Sequence, residues 1–194
     1  LEMFKKSKKY FKKNKKLVFV DQGMENIFET KISFFVKKSG LEKNYWVAIN
    51  RFFDYFTKKI NNNELVIAAH RRRSKLDTPS NKKFIFDKTY ELIKKSNLVL
   101  GHDSTALRHA ILARKPIIFI NLYLFKLYLH ELFLLVNQIA KELGSKVVYI
   151  DKNLNFNKKI FEKKNLNKVD KKKYKKFEEY YTGFPGLKSY GGNK

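Results

Sequence analysis

The stretch Asn97 to Ile120, NLVLGHDSTALRHAILARKPIIFI, decides the fold, because it reads as strand, tight turn, helix and strand without a break. Asn97 to Leu100 is a short apolar run suited to a strand buried on both faces, and Gly101 ends it. Ser104 or Thr105 is placed to cap a helix whose inward positions are the small residues Ala106, Ala110 and Ala113. Pro116 then stops that helix, and Ile117 to Ile120 supplies the next strand. The turn offers N–H groups at a helix start, two hydroxyls and His102, a setting for a phosphate or other anion at the carboxyl end of a strand. A βαβ crossover that is merely well capped carries the same residues, so both readings stand on this segment alone.

Upstream, Leu17 to Val20 forms a first buried strand closed by Asp21 and Gln22. Gly23 to Gly40 is a long connection with room for a short helix. Leu41 to Ile60 places Tyr45, Trp46, Ile49, Phe52, Phe53 and Phe56 at helical spacing and predicts an amphipathic helix. The second strand, Leu65 to Ala69, empties into His70 and the run Arg71 to Arg73, a cationic cluster at a strand's carboxyl end. A third strand is expected at Phe84 to Phe86, with Asp87 capping a helix through Tyr90, Ile93 and Lys94.

Downstream, Asn121 is read as the cap of one helix with an apolar stripe of Leu122, Phe125, Leu129, Phe133 and Val136. Lys126, His130 and Glu131 interrupt that run, so it does not span a membrane. Gly144 closes the helix and Val147 to Ile150 is the sixth strand, ended by Asp151. Tyr174, Phe177 and Tyr181 recur at helical spacing within Asp170 to Thr182, giving a terminal helix before a tail from Gly183.

Strands alternating with helices in this way predict an α/β fold: a doubly wound, mostly parallel six-stranded Rossmann-like sheet with a carboxyl-terminal helix. The expected organisation is a basic leader at 1–16, a Rossmann-like nucleotide-binding domain at 17–151, and a Lys/Asn-rich linker, terminal helix and tail at 152–194. In the usual strand order the first and fourth strands flank the topological switch point. Asp21, Gln22 and Gly23 would then meet His102, Asp103, Ser104 and Thr105 across one crevice, with His70 and Arg71 arriving from the neighbouring strand. These nine residues are the candidate nucleotide and phosphate site. His109 reads as an ordinary helix residue and His130 as part of a polar helix face.

The chain has 194 residues, enough for one well-packed domain, and no cysteine, which removes disulfides and thiolate metal sites. Leu1 and Glu2 before Met3 read as a cloning remnant, and the lysine run that follows lacks the apolar core of a signal peptide. Lys+Arg of 43 against Asp+Glu of 18 gives a net charge of +25. The excess is mostly lysine in scattered pairs, whereas patches that read bases favour arginine, so sequence-specific nucleic-acid binding is not expected. Anionic lipid headgroups or anionic substrates account for the charge as well. No His/Cys/Asp/Glu spacing suggests a metal site, and Ser104 lacks a nucleophile elbow, so neither a metal nor a covalent intermediate is expected.

The runs YWVAINRFFDYFTKK, ELVIAAHRR and KTYELIKKSNLVLGHDSTALRHAILARKPIIFI resemble the carboxyl-terminal half of bacterial surface-polysaccharide and O-antigen glycosyltransferases of the GT-B type, over roughly residues 17 to 120. In sialyltransferase-like families of that type a His-Pro pair and a later Ser/Thr pair bind the nucleotide of a CMP-sugar. The resemblance implies those roles for His70 and for Ser104 with Thr105, although Arg71 replaces the proline and Asp103 stands where a hydroxyl is common. It further implies a nucleotide-sugar donor, a glycan or glycolipid acceptor, and a cytoplasmic location at the inner membrane face. The general base would lie in an amino-terminal acceptor domain that this chain does not also contain, leaving the chain inactive alone. A non-catalytic nucleotide-fold module docking to a membrane or partner through its basic surface is the alternative. Half of a sugar-nucleotide epimerase would want a glutamate-bearing helix where Arg108 and His109 stand.

Overall fold

The computed structural model describes residues 16–31, 38–60, 64–153, 155–157, 166 and 168–182. Most of the basic leader, through residue 15, and the tail from Gly183 lie outside the described residues. Six strands, β1 (Leu17–Val20), β2 (Leu65–Ala68), β3 (Lys83–Ile85), β4 (Leu98–Gly101), β5 (Ile117–Leu122) and β6 (Lys146–Ile150), form one sheet in the order β3-β2-β1-β4-β5-β6. Every pairing is parallel, and Leu17 of β1 aligns with both Leu65 and Leu98. This is the doubly wound, Rossmann-like architecture expected from the alternation of elements, with the switch point between β1 and β4.

Side chains alternate across the sheet because successive residues of a strand point to opposite faces. Leu17, Phe19, Ile67, Leu100, Ile118 and Ile120 enter one core, while Val18, Val20, Val99, Ile117 and Phe119 enter the other. The first face is covered by α1 (Met24–Lys31), α2 (Lys38–Lys59) and α5 (Tyr123–Tyr128), and the second by α3 (Thr89–Lys95), α4 (Leu107–Leu112), α6 (His130–Leu143) and α7 (Lys171–Thr182). In α2 the aromatic stripe is fully committed: Tyr45, Phe52, Phe53 and Phe56 are buried. Each buried side chain of this size contributes on the order of 1.5–3 kcal/mol. The terminal helix joins the second layer, where Tyr174 donates its hydroxyl proton to the Lys115 carbonyl at 3.0 Å and Arg114 pairs with Glu178 at 2.6 Å. Gly144 ends α6 in the left-handed region at φ +66, as its position predicts.

Three local expectations are corrected. Asp87 does not cap α3: it sits at φ 58, and the residue at the cap of the helix is Lys88, which makes no side-chain cap hydrogen bond. Asn121 does not cap a helix either, because β5 runs on through Leu122 and the Asn121 amide, buried, donates to the Phe133 carbonyl and to Asn137. The single helix expected after it is two helices, broken at Leu129 with φ −136 and ψ 55. The break has a physical cause. Phe125 and Leu129 belong to one core, whereas Val136, Ala140 and Leu143 belong to the other, so the chain must step over the carboxyl edge of the sheet between them.

Candidate functional site

The carboxyl ends of β1 and β2 are locked together by one buried ion pair. Asp21 accepts from Arg73 Nε at 2.6 Å and from the backbone N–H groups of Gly23 and His70 at 3.0 and 3.2 Å. Arg73 also reaches Glu25 and Asp77 and lies over the rings of Trp46 and Phe84, with its side chain wholly buried. Burial lowers the guanidinium pKa, but the Asp21 hydrogen bond and the surrounding carboxylates more than offset this and hold it above its ordinary value. The arginine run is therefore not one solvent-facing cluster. Arg71 and Arg72 are exposed, and Arg73 is a structural clasp.

His70 leaves β2 half-buried, and the Arg72 backbone N–H donates to its Nδ1 at 3.3 Å. The neutral ring then carries its proton on Nε2, and burial, aided by the three following arginines, pushes its pKa below the usual histidine value. The ring packs against Gly23, which opens the β1–α1 turn at φ +64; a Cβ there would meet His70 Nδ1 at 2.7 Å. Gly23→Ala is expected to cost about 1–3 kcal/mol through backbone strain and collision, measured as a lower urea midpoint. An unchanged midpoint would show that the turn relaxes freely.

At the end of β4 the residues part company. His102 is fully buried: its Nδ1–H donates to the Ile120 carbonyl at 2.7 Å, and its Nε2 accepts from the Tyr45 hydroxyl at 2.9 Å. Phe19 and Phe125 pack edge-on against the ring. The expectation that His102 stands beside an anion is corrected, since both ring nitrogens are occupied in the core beneath the turn. Asp103 is half-buried, and burial raises its pKa against the pull of Arg108. Ser104 Oγ accepts from the Ala106 N–H at 3.3 Å, and Thr105 is exposed. The helix itself begins later than expected, at Leu107, with the Leu107 and Arg108 amides already bonded to the Ser104 and Thr105 carbonyls. Its inward face is Leu107, Ala110 and Ile111. With six residues and a tightened start, α4 brings little dipole to this turn.

A cleft of about 550 Å³ opens over the switch point. Gln22 and Ile27 from the first crossover face Asp103, and the step from α5 to α6 closes it with Tyr128, His130 and Glu131 among its lining residues. Gln22 has a buried carboxamide oxygen with no hydrogen-bond partner among the described residues. The structure thus gathers Gln22 and Asp103 in the cleft and sets Asp21, Gly23 and His70 in mutual contact at the end of β1, while His102 lies below. Tyr128, His130 and Glu131 were not legible as site residues, because the stripe Phe125, Leu129, Phe133, Val136 continues unbroken across the step. Neither glycine nor proline marks it. Among the described residues no group of three or more His, Asp or Glu is placed to hold a metal ion, and no helix is long and apolar enough to cross a membrane. No protein-family model, curated protein or solved structure matches the chain. The fold and the site geometry are therefore the basis for function.

Proposed function

We propose that this chain is the donor-binding half of a nucleotide-sugar-dependent glycosyltransferase of bacterial surface-polysaccharide synthesis, with a CMP-sugar as the favoured donor and a glycan or glycolipid acceptor. The observation that carries the reading is a cleft at the switch point of a parallel sheet, lined by Gln22 and by the two carboxylates Asp103 and Glu131. Asp103 and Glu131 repel a phosphate but accept hydrogen bonds from ribose or sugar hydroxyls, so the cleft suits the nucleoside and sugar. The phosphate belongs at the rim, with Ser104, Thr105, His70 Nε2–H and Arg71. Asp21 and His102 position the two loops and do not touch the ligand. Catalysis is then by orientation and by neutralising the leaving nucleotide, with the general base and acceptor contacts supplied by a second domain, at the cytoplasmic face of the membrane.

Calorimetric titration with CMP, then UDP and GDP, tests this. Ser104→Ala with Thr105→Ala is expected to weaken nucleotide binding by about 1–3 kcal/mol, the range for hydrogen bonds to charged groups. The fold survives, since Thr105 is exposed and Ser104 supports one turn amide. Equal binding by wild type and double variant removes this turn from the site. Absence of nucleotide binding by the folded wild type favours a non-catalytic module.

A further inference from the structure

We propose that the turn from His70 to Arg73 is a site for a terminal phosphoryl group, a phosphate monoester dianion, gripped by Arg71 and Arg72 beside the His70 ring. The inference rests on the donor reading and deepens it: it names the ester state of the phosphate and assigns Arg72, which that reading leaves unused. The local backbone is a β-turn. The Arg73 N–H donates to the His70 carbonyl at 2.9 Å, so Arg71 and Arg72 occupy the two corners while Arg73 folds back over the end of β1 to reach Asp21. Three consecutive arginines are thereby sorted. Arg73 takes Asp21, Glu25 and Asp77, whereas Arg71 and Arg72 stay exposed, and their guanidinium groups make no ion pair or hydrogen bond among the described residues.

The charge at the turn follows from that sorting. The strongest charges on the His70 ring are Asp21 and the three arginines, and Asp21 and Arg73 cancel each other as an ion pair. The charges of Arg71 and Arg72 are left over. A phosphate monoester carries about −1.5 to −2 near pH 7 on three acceptor oxygens. Esterified a second time, it keeps a single negative charge. Two guanidinium forks match the monoester in charge and in donors, and the His70 ring adds Nε2–H, because its Nδ1 already accepts from the Arg72 N–H at 3.3 Å. Asp87 is the acid the site must tolerate: it leaves β3 level with His70, since Ala68 aligns with Ile85, and it is exposed. Asp87→Asn should therefore tighten phosphate binding. Of the other acids at this end, Glu42 acts on Glu25, and Asp103 stands beyond β1 at the end of β4. The turn is also held in place before a ligand arrives. The His70 N–H donates to Asp21 at 3.2 Å, and the Asn50 amide fastens the far end of the loop at the Pro79 carbonyl, 2.9 Å away.

Calorimetric titration with CMP, with the methyl ester of its phosphate and with inorganic phosphate, all at one ionic strength, reads the site and separates the sources of the group. CMP is expected to bind the wild type roughly tenfold more tightly than its methyl ester. Arg71→Ala with Arg72→Ala should abolish that preference and weaken phosphate binding by a similar factor. Arg71→Lys with Arg72→Lys should restore part of it, because the charge returns without the fork. Arg51→Ala with Lys94→Ala is the control, removing two exposed cations from other helices, and should leave all three ligands unchanged. Urea midpoints confirm that each variant is folded. Equal affinity for CMP and its ester, a preference that survives the alanine pair, or an equal loss in the control overturns the phosphoryl site and leaves nucleotide binding standing. Phosphate binding that depends on Arg71 and Arg72 in a chain that binds no nucleotide keeps the phosphoryl site and overturns the donor reading. Binding of neither phosphate nor CMP overturns both.

Discussion

Arg73→Ala is expected to cost about 3–5 kcal/mol of folding stability, the penalty for removing one partner of a buried ion pair. The arginine side chain is wholly buried, and its carboxylate partner Asp21 is 2% exposed, so solvent cannot take over when the guanidinium is gone. Asp21 would keep only the Gly23 and His70 amides, while the space over Trp46 and Phe84 would be left unfilled. Equilibrium urea denaturation measures the loss. Arg73→Lys should fall between wild type and alanine, because an ammonium keeps the charge but cannot serve three carboxylates from a planar fork. Arg72→Ala, on the exposed neighbour, should change stability by no more than about 0.5 kcal/mol. A loss below about 1 kcal/mol for Arg73→Ala would mean that Asp21 finds water or a proton, and the clasp would have no energetic role. The same clasp fixes the amide of His70 and the turn at Gly23, so the proposed nucleotide binding should weaken along with stability.

The residues that announced the fold did so through burial on both sides of a sheet. LVFV, LVIA and the run NLVLG have few other places to go in a folded core, and the helix-length intervals between them leave a parallel sheet as the economical arrangement. The strand order followed from connection rules, and the meeting of Gln22 with Asp103 over the switch point follows from that order. What remained hidden depends on contacts between residues far apart in the chain. Arg73 looks like Arg71 and Arg72 until Asp21, Glu25 and Asp77 surround it. His102 looks like a ligand-facing residue until Tyr45, from a helix that precedes it by 57 positions, takes its second nitrogen. The α5–α6 step is harder still: its inward residues keep one helical stripe while serving two different cores, so periodicity carries no trace of the turn. The site's far wall is built at that step.

Acid should unfold the protein partly through His102. Burial holds its pKa down to about 4, against the opposing pull of its bond to the Ile120 carbonyl and of the Asp21 charge. In the unfolded chain the same ring takes a proton near its ordinary value of about 6.5. Between these values the unfolded state binds more protons, so stability rises with pH: the contribution is complete above about pH 6.5 and is lost as pH falls to about 4. The loss is about 3 kcal/mol, a large share of the 5–15 kcal/mol typical of a folded domain. His70, also lowered, works in the same direction, whereas the raised values of Asp103 and Glu25 work against it. His102 must therefore be isolated by difference. His102→Gln keeps a polar side chain in the pocket and removes the titration, so the stability advantage of wild type over this variant should shrink by about 3 kcal/mol from pH 7 to pH 4. Urea midpoints at half-unit pH intervals give that difference directly. A gap that stays constant within about 0.5 kcal/mol would show that the ring titrates alike in both states. The expected result carries a structural consequence: a protonated His102 can no longer accept from the Tyr45 hydroxyl, so the bond between them beneath the Asp103 to Thr105 turn must reverse its direction or break.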